Sequence, residues 1–168
     1  MSSDSIRLAS LGLGWWSDVL ADAVLRAPGV EIASCFSRSE DKRKTFAEKY
    51  NCNAANSYEE ILNDTYIDGI INTTPNNVHL ETTSQAAAAG KHVFLDKPIA
   101  NSVAEGMEIT EICKEAGIQL SIGFQRRREN QFRWIKKSIQ DGKFGVLVQA
   151  EANISRDRLG TFESGHWR

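Results

Sequence analysis

The sequence is poor in the residues that would place it outside the class of ordinary globular proteins. It has three cysteines, three prolines and a formal net charge of only −2, from 20 basic and 22 acidic residues. Cys35, Cys52 and Cys113 are odd in number, widely spaced and without a Cys-x-x-Cys pair. This pattern argues against a disulfide framework or a zinc site and is typical of reduced cytosolic thiols. The near-balanced charge gives no electrostatic reason to expect nucleic acid or an anionic membrane as a partner.

Long apolar runs are also missing. No run approaches the ~20 residues that a membrane helix needs, and the first residues lack the basic and then apolar pattern of a secretory signal. With 41% hydrophobic and 25% charged residues, the 168 residues are enough for about one domain with its own core. A cytoplasmic enzyme or binding module is therefore the default expectation.

What the sequence does contain is a regular alternation of short apolar runs with longer helical stretches. This alternation is typical of βαβ units and predicts an α/β fold, a Rossmann-type doubly wound parallel sheet. A helix is predicted to begin after Ser39, since serine is a favoured N-cap, and further helices are predicted to begin near Ser57 and at Ser102. Strands are predicted at residues 6–11, 30–36, 67–72, 93–95 and 119–122, with residues 53–56 too short to assign.

The pattern changes after Gly123. Three arginines at 126–128 precede a predicted helix to about residue 139, and residues 141–145 form a turn. Residues 146–154 alternate like a strand with one polar face. We therefore predict a dinucleotide-binding domain over residues 1–123. Residues 124–168 are predicted to hold a connecting helix and the first strand of a second domain.

The first predicted strand is followed directly by Gly12-Leu13-Gly14-Trp15-Trp16-Ser17, which opens a helix. In a dinucleotide site the first glycine makes the tight turn, and the second lets backbone N–H groups approach a pyrophosphate. Ser17 stands where the third glycine of the full fingerprint would be. Gly-x-Gly alone fits a structural turn equally well, but its placement between strand and helix favours a cofactor site. The predicted cofactor-binding residues here are Gly12, Leu13, Gly14, Trp15 and Trp16.

The end of the second predicted strand bears on which dinucleotide binds. An acidic residue about 20 positions beyond the glycines would hold an NAD ribose, but this strand ends in Phe36-Ser37-Arg38. Ser37, Arg38 and Lys42 offer a hydroxyl and cations suited to a 2′-phosphate. Neighbouring carboxylates at positions 40 and 41 would repel that phosphate if they faced it, and a solvated helix start is the alternative. The pattern predicts that NADP(H) is favoured over NAD(H).

Two further strand ends carry polar residues. Because the carboxyl ends of parallel strands meet where ligands bind, both are candidate site segments. Thr73, Thr74, Pro75 and Asn76 are predicted to lie near the cofactor, although a helix cap explains them equally well. His79 is included as cofactor-proximal, with a structural role left open. Asp96, Lys97 and Pro98 end the next strand, and Lys97 is a candidate for proton transfer or electrostatic work.

Four blocks in order resemble the Gfo/Idh/MocA family of nicotinamide-dependent oxidoreductases. They are Gly12-Leu13-Gly14, Thr74-Pro75-Asn76 with His79, Ala89-Gly90-Lys91-His92-Val93 with Asp96-Lys97-Pro98, and Gly123-Phe124-Gln125-Arg126-Arg127. The resemblance covers nearly the whole chain. It implies an N-terminal Rossmann domain, followed by a larger α/β domain that supplies the substrate site and the interface of a homo-oligomer.

The resemblance also implies roles for single residues. The family's Glu-Lys-Pro signature is Asp96-Lys97-Pro98 here, which puts Lys97 beside the nicotinamide and the substrate hydroxyl, supported by Asp96. Arg126 joins the cofactor-proximal residues, and no metal is expected. The implied reaction is hydride transfer between the cofactor and a hydroxyl carbon of a sugar, inositol or similar cyclic polyol. The family's catalytic histidine is expected in a later segment, and His166 is not expected to be that residue.

Two hypotheses follow. The chain is either the cofactor-binding part of an NADP(H)-preferring oxidoreductase, inactive by itself, or a stand-alone dinucleotide-binding module that acts as sensor, scaffold or partner subunit. The alternating segment at residues 146–154 favours the first hypothesis, because a finished small protein normally protects an unpaired strand edge.

Overall fold

The computed structural model describes residues 5–155, and the chain divides into two compact units between Gly123 and Phe124. The first unit is a six-stranded sheet with helices between its strands. The strands are β1 (Ile6–Leu11), β2 (Val30–Phe36), β3 (Asn53–Ala54), β4 (Gly69–Asn72), β5 (His92–Leu95) and β6 (Leu120–Ile122). The helices are α1 (Trp15–Val24), α2 (Glu40–Tyr50), α3 (Tyr58–Asn63), α4 (His79–Ala88) and α5 (Val103–Glu115).

All strand pairs in this sheet are parallel, and the strand order is β3-β2-β1-β4-β5-β6. The direction of winding reverses between β1 and β4. In open α/β sheets a ligand binds at this reversal, outside the carboxyl ends of the strands. The predicted fold class is confirmed, and the candidate binding crevice lies where β1 and β4 end.

The core consists of two apolar clusters, one on each face of the sheet. Successive strand residues point to opposite faces, so Ile70 packs into the cluster with α4 and α5 whereas Ile71 packs into the cluster with α1 and α2. All of β4 is buried. This double burial explains why the strand is a continuous apolar run ending in one amide, Asn72, rather than an alternating pattern.

Serine hydroxyls cap the starts of three of the helices, and the cap at Ser39 was expected from the sequence. Ser39, Ser57 and Ser102 each accept a hydrogen bond from the backbone N–H three residues later. At the amino ends of the strands, the turns that lead into β2 and β6 contain Gly29 and Gly117. No heavy atom lies within 4 Å of the position that a Cβ would take at either glycine.

The second unit contains a short 3-10 turn (Gln125–Arg128) and α6 (Asn130–Gln140). The strand predicted at residues 146–154 is wrong, because this segment is irregular and exposed, with Val146 at 90% and Val148 at 94% accessibility. A strand needs a partner for its N–H and C=O groups, and the described part of this unit holds no second strand. Residues 156–168, and with them the expectation for His166, lie outside the described residues.

Two negative findings apply to residues 5–155. None of their helices has the length and apolar character needed to cross a membrane. No group of three or more His, Cys, Asp or Glu side chains in this range is placed to hold a metal ion.

Candidate dinucleotide site

The turn after β1 (residues 12–14, the glycine turn) lies against the turn after β4 (residues 73–76, the threonine turn). Gly12 has φ +85°, and a Cβ on it would stand 2.9 Å from the backbone of Thr73 and Thr74. The Thr73 hydroxyl donates to the Gly12 carbonyl, and the Thr73 N–H donates to the Leu11 carbonyl at 2.8 Å. The two turns at the winding reversal are therefore fixed against each other.

The glycine turn leads into α1 with an open helix start. Gly14 is the N-cap, no side chain caps the helix, and a Cβ there would meet nothing within 4 Å. The first N–H groups of a helix lack intrahelical partners and carry the positive end of its dipole. Ser17, 1% exposed, donates its hydroxyl to the Gly14 carbonyl at 2.6 Å and so replaces the third glycine without a clash. Open space beside free amides fits a pyrophosphate.

The two tryptophans of this helix start differ in exposure. Trp15 is 71% exposed, whereas Trp16 is half-buried and its ring centroid lies 5.4 Å from that of Trp15. The indole N–H of Trp16 is buried without a hydrogen-bond partner among the described residues. A buried donor left unpaired costs about 1–3 kcal/mol, so this N–H is a candidate donor to a ligand bound at the helix start.

The first acidic residue after the glycine turn in the sequence is bonded to α2. Asp18, in the first turn of α1, pairs with the Lys49 ammonium at 2.9 Å and accepts from the Tyr50 hydroxyl at 2.9 Å. Burial is the largest cause that raises the pKa of Tyr50, to about 12, so this hydroxyl keeps its proton. The carboxylate is thus engaged with α2, where it does not compete with an anion at the helix start.

The loop after β2 (residues 37–39, the serine loop) is shaped by Arg43 of α2. The Arg43 guanidinium donates to the Ser37 carbonyl at 2.7 Å and lies over the Phe36 ring, 5.6 Å from its centroid. The half-buried Arg43 side chain thus supports the backbone of the loop. The Ser37 hydroxyl donates to the Ser39 carbonyl at 3.2 Å, so the loop is internally bonded.

Two cationic side chains, one in the serine loop and one at the start of α2, have no bonding partner among residues 5–155. Arg38 and Lys42 are exposed, and within residues 5–155 neither side chain forms an ion pair or a hydrogen bond. Glu40, which was expected to repel a phosphate if it faced one, pairs with Lys44 at 2.6 Å. The hydrogen bond from Lys44 is the main cause that holds the pKa of Glu40 below its usual value.

Asn72, the last residue of β4, organises the threonine turn and was missed by sequence reasoning. Its side chain is 1% exposed and accepts from the Thr74 N–H at 3.1 Å and the Thr74 hydroxyl at 2.7 Å. Its amide nitrogen donates to the Thr82 hydroxyl at 2.8 Å. The available signal was an amide at the tip of a fully apolar strand, next to two threonines. Pro75 is exposed and Asn76 half-buried, beside the crevice.

His79 lies beneath the site and not in it. The side chain is fully buried, with Nε2 2.9 Å from the Thr74 carbonyl oxygen and Nδ1 3.1 Å from that of Pro98. Since both ring nitrogens face backbone oxygens, its inclusion among residues that bind the cofactor directly is corrected. The structural role left open by the sequence is the one observed.

The turn after β5 (residues 96–98, the lysine turn) ends beside the threonine turn. The Asp96 N–H donates to the Asn72 carbonyl at 2.9 Å, and Lys97 is exposed. Asp96 Oδ1 is buried without a partner in the part of the chain that the structure describes. A Cβ on Gly123 would come within 3.3 Å of this oxygen. A buried carboxylate oxygen without a donor is an acceptor available to a ligand.

The structure brings four of the predicted segments to one edge of the sheet. The glycine, threonine and lysine turns follow β1, β4 and β5, and the serine loop follows β2 at the same edge. Orphaned polar atoms and an open helix start fit a dinucleotide there. Arg126 belongs to the second unit, where it is half-buried in the turn Gln125–Arg128, and its role stays a prediction.

Comparison with known proteins decides the family. Residues 6–124 match the model of the Gfo/Idh/MocA oxidoreductase family, the NAD-binding Rossmann fold. The chain belongs to this family. The resemblance seen in the sequence is confirmed, and the chain is an NAD(P)-binding member of an oxidoreductase family.

Individual relatives agree with this assignment. The chain is 32% identical over 167 residues to an uncharacterized oxidoreductase of Schizosaccharomyces pombe, covering 97% of this chain and 45% of that protein. It is 30% identical over 162 residues to scyllo-inositol 2-dehydrogenase (NADP(+)) IolW of Bacillus subtilis, covering 92% and 43%. The WlbA dehydrogenase of Bordetella pertussis, solved with NADH and UDP-GlcNAcA, matches with TM-score 0.81 and 25% identity, covering 86% and 42%. The chain thus spans less than half the length of these relatives.

Proposed function

We propose that this chain is the cofactor-binding part of an NADP(H)-preferring oxidoreductase that acts on a hydroxyl carbon of a sugar, inositol or similar cyclic polyol. The observation that carries the cofactor preference is the serine loop. There Arg38 and Lys42 have no acidic partner among residues 5–155, and no carboxylate ends β2. Two free cations suit a 2′-phosphate. The substrate class is supported by the similarity to an NADP-dependent inositol dehydrogenase of Bacillus subtilis.

Each segment of the site has a share in holding the cofactor. The glycine turn and the first amides of α1 hold the pyrophosphate, and Arg38 and Lys42 hold the 2′-phosphate. Ser37 joins them when its hydroxyl turns from the Ser39 carbonyl to the phosphate. The threonine turn and Lys97 lie at the nicotinamide end. When bound, the nicotinamide supplies the site that accepts or donates the hydride.

The chemistry of the chain's own residues is orientation and electrostatic stabilisation. The Lys97 ammonium donates a hydrogen bond to the hydroxyl oxygen of the substrate and stabilises the negative charge that develops on it. The Asp96 carboxylate supports this ammonium. The hydroxyl proton passes to a histidine that the resemblance places in the second domain. This chain alone is therefore expected to bind cofactor without turnover.

Cofactor titration tests the first part of the proposal. Trp15 and Trp16 lie at the glycine turn, and replacing the other two of the four tryptophans, Trp134→Phe and Trp167→Phe, makes their fluorescence the only indole signal. NADPH is expected to change this signal at lower concentration than NADH. Tighter binding of NADH would reverse the preference.

A turnover assay tests the second part. This chain and the full product of its gene are assayed with NADP and a panel of sugars, inositols and other cyclic polyols. Turnover by a longer gene product, without turnover by this chain, supports the proposal. A gene product that ends at Arg168 and binds cofactor without turnover would instead support a stand-alone binding module.

A homo-oligomer formed through the second domain and a cytoplasmic location both stay predictions.

A further inference from the structure

A buried imidazole links two of the turns that form the site. His79 is the first residue of α4 and is fully buried, so water does not compete for its ring nitrogens. Its Nε2 lies 2.9 Å from the Thr74 carbonyl oxygen and its Nδ1 lies 3.1 Å from the Pro98 carbonyl oxygen. One side chain thus spans the threonine turn and the lysine turn.

The chemistry of the two partners limits what the ring does. A carbonyl oxygen only accepts, so a hydrogen bond forms only where the facing ring nitrogen carries a proton. A neutral imidazole has one N–H and donates to one of the two turns, whereas an imidazolium donates to both. The bond that reaches the lysine turn is therefore the one made by a protonated Nδ1.

His79 is also the end of a longer series of contacts. The Thr73 hydroxyl joins the threonine turn to the glycine turn, and Asn72 fixes the backbone and hydroxyl of Thr74. The Thr74 carbonyl then faces His79, and Pro98 directly follows Lys97 in the chain. These contacts connect the backbone next to Lys97, through His79, to the threonine turn and the glycine turn.

We propose that His79 is a positioning residue for Lys97, and that its Nδ1–H bond to the Pro98 carbonyl holds the Lys97 ammonium at the nicotinamide end of the site. The contacts are those of the structure, while the place of Lys97 beside the nicotinamide rests on the proposed function. His79 itself does not touch the cofactor.

Two amide variants separate the two bonds of the ring. In His79→Asn the amide nitrogen stands where Nδ1 was, so a donor toward Pro98 remains. In His79→Gln the longer side chain carries its amide nitrogen to the former Nε2, so only the donor toward Thr74 remains. His79→Leu, which fills the site without any donor, is a second variant that lacks the bond to Pro98.

The readout is the accessibility of the Lys97 amine in this chain. An amine-acylating reagent labels exposed lysines, and peptide mass spectrometry gives the labelling rate of each. With cofactor at about ten times its Kd, only about a tenth of the chain is free, so labelling of a covered Lys97 slows about tenfold. Lys114, exposed on α5, is the internal control whose rate stays constant.

The wild type and the three His79 variants are compared, each with a dinucleotide and with its adenosine fragment. The pair is NADPH with 2′,5′-ADP or NADH with ADP, according to which dinucleotide the wild type binds more tightly. The adenosine fragment lacks the nicotinamide and reports how many molecules keep a folded site. The dinucleotide, but not the fragment, is expected to protect Lys97 in the wild type and in His79→Asn. In His79→Gln and His79→Leu the protection is expected to be lost while the fragment still binds.

The outcomes separate the inference from the proposed function. Protection of Lys97 that persists in the Gln and Leu variants overturns the positioning role and leaves the proposed function intact. Loss of fragment binding and of protection together in every variant, Asn included, shows a merely structural histidine and also overturns it. A wild type that binds the dinucleotide without protecting Lys97 overturns the proposed place of the lysine, and with it the inference.

Discussion

The Thr73 hydroxyl donates to the Gly12 carbonyl and so ties the turn after β4 to the turn after β1. The contact is close because Gly12 has no side chain, since a Cβ would stand 2.9 Å from the Thr73 backbone. The geometry of the crevice therefore depends on a backbone approach that no other residue permits at this position.

We expect Gly12→Ala to abolish cofactor binding and to lower the free energy of unfolding by more than about 2 kcal/mol. The left-handed φ of +85° alone costs an alanine about 1–2 kcal/mol, and the contact with the Thr73 backbone adds to that cost. Urea denaturation and cofactor titration measure the two effects. Gly29→Ala is the matched control, because Gly29 has φ +76° but open space around it. It should lose only the about 1–2 kcal/mol of the left-handed φ and keep its cofactor affinity.

Arg38→Ala is expected to weaken NADPH binding by about tenfold or more, since hydrogen bonds to a charged group contribute about 1.5–3 kcal/mol. Binding of NADH, which lacks the 2′-phosphate, should be unchanged. Isothermal titration of both cofactors checks the difference. Arg26→Ala removes the same charge from an exposed residue after α1 and should alter neither affinity. Equal losses for NADPH and NADH in Arg38→Ala would contradict a 2′-phosphate role.

Lys91→Met is expected to destabilise the domain by about 3 kcal/mol. Lys91 is only 7% exposed, and its ammonium donates to the Asp64 carbonyl at 2.7 Å and the Ile67 carbonyl at 2.9 Å. Methionine keeps the apolar stem but leaves the Ile67 carbonyl without a donor, while the Asp64 carbonyl keeps only the Ile67 N–H. Lys114→Met, on the surface, should change the stability by less than about 0.5 kcal/mol. Chemical denaturation measures the free energy of unfolding of both variants. Equal, small losses would show that the two bonds of the buried ammonium do not stabilise the domain.

The stability contributed by Asp68 should depend on pH. Its carboxylate accepts from the Arg7 N–H at 2.7 Å, and this bond is the main cause that lowers the pKa of Asp68. A carboxyl whose pKa is lower in the folded state stabilises the fold above the ordinary pKa of 3.8 and loses this contribution as pH falls through the folded value. Asp68→Asn should therefore cost up to about 1 kcal/mol at pH 7, since the pair is partly exposed, and progressively less below pH 4.

Denaturation of wild type and Asp68→Asn from pH 7 to pH 2 measures this difference. Asp41→Asn, at an exposed carboxyl on α2, is the control for a change of one charge. A stability gap between wild type and Asp68→Asn that stayed constant over the whole range would show that the carboxylate charge is not what stabilises the contact.

Much of the sheet could be predicted because its signals are local. The run from Val30 to Phe36 is bounded by a glycine and by polar residues, and the observed strand has these limits. Ser39 predicted the start of α2 because its hydroxyl caps the helix through the Lys42 N–H. Boundaries differ where the end is decided by neighbours. Thus β4 begins at Gly69, because pairing with β1 and β5 begins there, whereas the sequence placed its start at residue 67.

The remaining features depend on tertiary context. The alternation at residues 146–154 satisfies the pattern of a strand, but strand formation needs a partner that a local pattern does not provide. The role of His79 depends on which oxygens face its ring, and Pro98 lies far from it in sequence. Asn72 was counted only as a strand end, because an amide at the tip of an apolar strand marks a candidate position, whereas its bonds to Thr74 and Thr82 are set by the fold.

The turns at Gly29 and Gly117 give the domain a second end with a different tolerance for change. They lead into the amino ends of β2 and β6, whereas all the proposed cofactor-binding segments follow carboxyl ends, and nothing packs within 4 Å of their Cβ positions. A fluorescent reporter or an immobilisation peptide inserted in either loop would thus sit on the side of the sheet opposite the crevice. This directional layout makes the first unit a suitable starting point for a genetically encoded dinucleotide biosensor.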